Sequence, residues 1–181
     1  RLMTFWAEHF TAVPTNLGIR AAVPEYIDNA IRPHVTGRFS DMLKAVVMHP
    51  LMLIYLDQIA SVGPNSRVGQ RRGRGLNENL AREVLELHTL GVDGPYSQRD
   101  VTQLAELFTG LSGSQGKGFV FRQGIVAPGA EPVLGRSYGG RPSLEPIHAV
   151  LDDLAMHPAT AAHVARKLAV HFVADEPEPT L

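Results

Sequence analysis

Between Asn77 and Gly110 the chain spells out two consecutive helices together with their stops, and that leaves few fold classes open. Asn77 to Gly91 (NENLAREVLELHTLG) carries apolar residues at helical period, and Gly91 supplies a residue able to close the helix in a left-handed conformation. Asp93-Gly94-Pro95 is turn chemistry. Ser97-Gln98-Arg99-Asp100 then reads as a capping box, because a serine and an acidic residue three positions on can satisfy each other's backbone N–H groups. The stripe Val101, Leu104, Ala105 and Phe108 follows, and Gly110 ends it.

The rest of the chain has the same helical cadence. Leu2, Phe5, Trp6, Phe10 and Val13 lie close to helical spacing, the pattern breaks from Pro14 to Pro24, and Glu25 to Ile31 resumes it briefly. Phe39 to Met48 is helical, and Pro50 opens an almost wholly apolar helix from Leu51 to about Ile59. Ser61 to Gly75 is polar and reads as a solvated loop. Residues 112–142 are rich in glycine, and Phe119-Val120-Phe121 can pair with Pro132-Val133-Leu134 as a small hairpin. Two helices close the chain, about Leu144 to Met156 and Pro158 to Val173. The expected fold is mainly α: one bundle-like helical domain over 1–181, an internal piece of a longer protein, with 112–142 as a glycine-rich β-hairpin insertion. Met48-His49-Pro50 and Met156-His157-Pro158 form an internal echo, read most simply as a shared helix–proline–helix junction.

Composition excludes several chemistries. There is no cysteine, so thiolate metal sites, disulfides and cysteine nucleophiles are ruled out. A formal charge of −1 gives no global attraction to nucleic acid or anionic membrane. No apolar run reaches the roughly 18 residues of a membrane span. Neither a GxSxG elbow nor a strand–helix alternation supports a hydrolase or Rossmann sheet, and the glycines of Gly113 to Gly118 lack the context of a phosphate loop.

Helical geometry sorts the polar residues of the 77–91 helix. With Leu80 at zero and about 100° per residue, Val84, Leu87, His88, Ala81 and Leu85 complete one apolar arc of about 160°. His88 lies inside that arc; Arg82, Glu83 and Glu86 lie opposite. One regular helix therefore cannot bring Glu83, Glu86 and His88 to a single metal ion, and Arg82 and Glu86 suit an i,i+4 ion pair. Asn77 or Asn79 is placed to cap the helix. A histidine on an apolar face must find partners for its ring nitrogens, which makes His88 the residue to follow. His9 shares the inward face of the first helix, so the two can converge as an acid–base or metal-binding pair. His163 and His171 are read as surface or packing residues, and His49 and His157 as junction residues. Arg67, Arg71, Arg72 and Arg74 form a cationic cluster able to hold an anion, without aromatic platforms for bases.

The words GLNENLAREVLELHTLGV and YSQRDVTQLAELFTG, with MTFWAEHF, IRPHVTGRFSDMLKAVVMHPLMLIYLD, PVLGRSY and HPATAAHVARKLAVHFVAD, resemble the bacterial family catalogued as "domain of unknown function 1800" along nearly the whole chain. The resemblance implies an exported or periplasmic protein, longer at both ends, encoded near a sulfatase-like companion, and it brings no established activity. This chain departs from the family pattern at Ala7, where a histidine is usual, at Val126-Ala127, where a histidine and an acid usually precede Pro-Gly, and at Leu111, where tryptophan is frequent.

Two functions are thus in view. One is a helical scaffold or binding domain whose 77–91 helix organises a buried polar network around His88. The alternative is a hydrolase-like enzyme in which His88 and His9 act with Asn77, Asn79 or Glu83, with or without a metal.

Overall fold

Prolines and glycines divide the chain into short helices, and in the computed structural model these pack around one continuous apolar core running from Phe5 to Leu154. Residues 1–13, 20–72, 75–114 and 118–176 are described. The protein is mainly α. Helix α1 is Leu2–His9; α2, Ala22–Tyr26, runs on as a π-helical turn, Ile27–Ile31. Helices α3 (Phe39–Val47), α4 (Pro50–Tyr55) and α5 (Arg67–Arg72) follow. Helix α6, Asn79–Glu83, also continues as a π turn, Val84–His88. Helix α7 is Gln98–Leu107, and α8 (Glu145–Met156) and α9 (Pro158–Phe172) end the fold.

Several expectations need correction. Ser61 to Gly75 is not wholly a loop, because Arg67–Arg72 forms α5. The long apolar helix after Pro50 stops at Tyr55, where Asp57 takes a left-handed conformation before a 3₁₀ turn, Gln58–Ala60. The glycine-rich region holds two antiparallel pairs instead of the single expected one: β1 (Leu111–Ser114) with β2 (Gly118–Phe121), and β3 (Ala130–Val133) with β4 (Arg136–Gly139). Each strand pairs with its chain neighbour, which closes the shortest loop and costs the least chain entropy.

The expected capping box is present at α7. Ser97 Oγ accepts from Asp100 N–H, and Asp100 Oδ2 accepts from Ser97 N–H at 2.8 Å. The second carboxylate oxygen, Oδ1, accepts Leu134 N–H at 2.8 Å. Leu134 and Gly135 both have positive φ and form the two-residue turn between β3 and β4, a conformation that a leucine rarely adopts. One aspartate therefore caps a helix and pins a strained turn from 34 residues further on. Burial pushes its carboxyl up, yet these bonds outweigh that and hold it below the ordinary carboxylate range.

Helix starts and helix ends are satisfied differently. His49 Nδ1 accepts Leu51 N–H at 3.2 Å, and His157 Nδ1 accepts Ala159 N–H at 3.1 Å, so both Met-His-Pro junctions are histidine N-caps. The two echoing helices α3 and α8 also pack together, with Lys44 Nζ 2.8 Å from Asp152 Oδ1. At two C-terminal ends, where carbonyls are left over, donors also arrive from distant elements. Tyr26 O–H donates to Phe10 O after α1 (2.7 Å), and Gln58 Nε2 donates to Phe108 O after α7 (2.9 Å).

Candidate functional site

The 77–91 helix is not regular, and the irregularity decides where its side chains point. Its first turn is α-helical; from Val84 the backbone widens to a π turn whose end is closed by Thr89, with Thr89 Oγ1 donating to Val84 O at 2.6 Å. A wider turn advances each residue by less than 100°. The phase shifts accordingly. Leu87, placed in the apolar arc by the regular wheel, is 42% exposed, whereas His88 is 3% exposed and buried. This corrects the expected arc at Leu87 and keeps it at Leu80, Ala81, Val84, Leu85 and His88.

The π turn ends on two carbonyls, and a histidine from a different helix takes each. His9 Nε2 lies 3.2 Å from His88 O, and His163 Nε2 lies 3.2 Å from Leu87 O. A carbonyl only accepts, so in both contacts the ring donates through Nε2–H. His9 and His88 do converge, with ring centroids 5.9 Å apart, and His163 is 6.3 Å from His9. Phe5 stacks on His9, Trp6 meets His9 edge-on at 5.6 Å, and Phe10 packs on His88 at 5.0 Å. Gly91 has φ +89, and a Cβ there would approach His163 Nδ1 to 2.9 Å, so glycine here both turns the chain and admits the histidine.

Burial, then the positive charge of Lys167, pushes His9 down to about 3 and His88 to about 4, so both are neutral near pH 7. His88 Nδ1 and Nε2, His9 Nδ1 and Trp6 Nε1 are buried without a hydrogen-bond partner among the described residues. Each such group costs roughly 1–3 kcal/mol. Four of them sit on three neighbouring rings, which concentrates that cost at this place.

His9 is also the wall of a cleft between α1 and α9. The cleft has a volume of about 390 Å³ and is lined by Phe5, Glu8, His9, His163, Arg166, Lys167, Val170 and His171. His163 and His171, expected to be surface or packing residues, belong to it. Their register on α9 matches its inward face, but nothing in the spacing marks that face as meeting α1.

The other candidate residues stand apart. Asn77 Oδ1 accepts Asn79 N–H at 2.8 Å, an Asx turn that starts the helix, while Asn77 N–H donates to Ser61 Oγ. Asn79 is exposed, and Glu83 is half-buried, its carboxyl pushed up by burial and then by Glu86. None of the three lines the cleft. Arg82 pairs with Glu86 at 3.3 Å, as its spacing predicts, and also with Glu78 at 3.1 Å and Gln98 at 3.0 Å. Arg67 and Arg71 are exposed on α5; Arg74 and the side chain of Arg72 lie outside the described residues. Ala7 faces a different groove, beside Tyr26 and Ile27, and Val126 and Ala127 border a small cavity beside Glu131. The positions at which the family pattern has further histidines are thus not in this cleft.

Among the described residues no group of three or more histidine, aspartate or glutamate side chains is placed to hold a metal ion, and no helix is long and apolar enough to cross a membrane. The arrangement defines a mainly α protein with a histidine-lined, cationic cleft at the end of a π-helical turn. The chain belongs to the family described as "Protein of unknown function (DUF1800)", whose model matches residues 1–181. No curated protein and no solved structure matches it significantly.

Proposed function

We propose that this chain is a binding domain whose ligand site is the cleft between α1 and α9, with the histidine-clamped end of the α6 π turn as its rigid back wall. The observation that carries this reading is the double role of His9. Its Nε2 is fixed to the helix end at His88 O, while the same ring walls a cleft of about 390 Å³, within the usual range for small-ligand sites. Residues held by buried hydrogen bonds make precise binding walls, because their rotamers are locked before the ligand arrives. On this reading residues 1–181 act as one helical domain, with 112–142 an insertion into it. The family resemblance adds an exported bacterial setting and a sulfatase-like companion to the proposal. His9 and His88 act here as supports of a site, since no acid, hydroxyl or amide from Glu83, Asn77 or Asn79 accompanies them.

Trp6 is the single tryptophan and touches His9, so its emission reports on the cleft. A panel of small metabolites is screened by Trp6 emission against the native protein and against Val170→Asp, which puts a charge on the cleft wall. Compounds that shift the native protein and not the variant support the proposal. Responses that survive Val170→Asp unchanged place binding elsewhere and remove it.

A further inference from the structure

The charge of the cleft is one-sided. Arg166 and Lys167 line it, and neither has a carboxylate within 4.0 Å among the described residues. The one lining carboxylate, Glu8, is 66% exposed and turned to His171, with Oε2 at 3.7 Å from Nδ1. Lys167 is not a solvated surface lysine. It is half-buried, and burial lowers the pKa of its ammonium group. Its charge also adds to burial in lowering the pKa of His9 and His88 behind it. A cation withdrawn from water with no counter-ion is costly, and proteins ordinarily pair it. Elsewhere in this chain that rule is followed: Lys44 has Asp152 and Asp41, and Arg82 has Glu78 and Glu86.

The rest of the wall is apolar or already committed. Phe5 and Val170 supply hydrophobic surface, and Phe172, next to Phe5 at 6.4 Å, extends it. His163 has its Nε2 on Leu87 O and its Nδ1 against Gly91, so it shapes the wall without offering a free donor. Resting on the cleft being the ligand site, we infer that the ligand is an oxyanion carried on an apolar body, with Lys167 as its counter-ion, Arg166 at the rim, and Phe5 and Val170 against the body. A metal cation is the wrong sign for this position, and an uncharged apolar ligand leaves Lys167 unpaired.

The test compares benzoate and phenyl phosphate with benzamide, the uncharged counterpart of benzoate, and with inorganic phosphate, each titrated by Trp6 emission and calorimetry near pH 7. The two aromatic anions are expected to bind about tenfold or more tightly than benzamide and than inorganic phosphate. Lys167→Met is expected to bring the anions down to the level of benzamide without lowering the melting temperature, and Lys167→Arg to keep most of the preference. Equal binding of benzoate and benzamide, both lost in Val170→Asp, overturns the anion and leaves the cleft as the site. Anion binding untouched by Lys167→Met and Val170→Asp overturns both, as does the absence of binding by all four probes to folded protein.

Discussion

At the two Met-His-Pro junctions a histidine stands at the start of a helix and accepts a backbone N–H two residues ahead; at the end of the α6 π turn, histidines stand at a helix end and donate to carbonyls 79 and 76 residues away in sequence. The side chain is the same and the roles are opposite. His49 and His157 use the lone pair of Nδ1, are only half-buried, and need nothing beyond the local turn. His9 and His163 use Nε2–H, and His9 is buried against His88. Tyr26 and Gln58 follow the second pattern, donating across the fold to the ends of α1 and α7. At the two junctions the start is capped from within its own sequence, whereas the ends of α1, α6 and α7 take donors from distant elements beside the local hydroxyls of Thr11, Thr89 and Thr109. FWAEHF, LELHTLG and HVARKLAVHF supply the donor, the widened turn with its carbonyls, and the second donor.

The sharpest way to break the comparison is acid. His9 and His88 have pKa values depressed below 6.5, so the unfolded chain takes up protons first as pH falls. The stability these groups provide is complete above about pH 6.5 and is lost progressively as pH drops toward 4 and 3. Each costs about 1.4 kcal/mol per pH unit in that window, or roughly 4 kcal/mol for the two between pH 7 and pH 5. Urea unfolding at both values measures it, and equal stabilities would show that the pair is not buried neutral.

Next in size is His88 itself. His88→Ala is expected to cost roughly 1–3 kcal/mol. Among the described residues neither ring nitrogen makes a well-formed hydrogen bond, although the His9 backbone is near enough to act on the ring. The loss is therefore one of packing against Phe10, and His88→Phe should cost less than His88→Ala; the reverse order would reveal a polar role for the ring. At the junctions, His157→Ala should cost about 1 kcal/mol, the value of an N-cap, and His157→Asn should restore most of it. Thermal unfolding of both variants decides this. The smallest effect belongs to the exposed face: Arg82→Ala should change stability by roughly 0.5 kcal/mol and less in high salt, despite its several contacts.

Particular elements show how far the sequence reaches. The capping box at Ser97 and Asp100 is legible because its partners are three residues apart, and Gly91 and Gly110 take the positive φ that their positions suggest. The Arg82–Glu86 pair follows from helical period alone. The second partner of Asp100, Leu134, was not legible, since nothing local announces a hydrogen bond spanning 34 residues. Two hairpins stand where one is expected, because short apolar runs specify strand but not partner. Leu87 leaves the expected arc because the turn widens and each residue advances by less than 100°. The one nearby hint is Thr89, whose hydroxyl closes that turn onto Val84.

The sequence alone carries most of the long helices, the capping box at Ser97, the outward Arg–Glu face, the inward faces of His9 and His88, and the exclusion of thiol chemistry. These depend on period and on contacts within a few residues, where spacing and geometry are nearly equivalent. Only the tertiary structure brings His9 and His163 to the same helix end, buries the His88 ring beside His9 and Phe10, and turns Lys167 to a cleft where no carboxylate lies within 4.0 Å of it among the described residues. Those facts depend on how α1, α6 and α9 meet, and the packing of separate helices is set by the whole core rather than by any one stretch of chain.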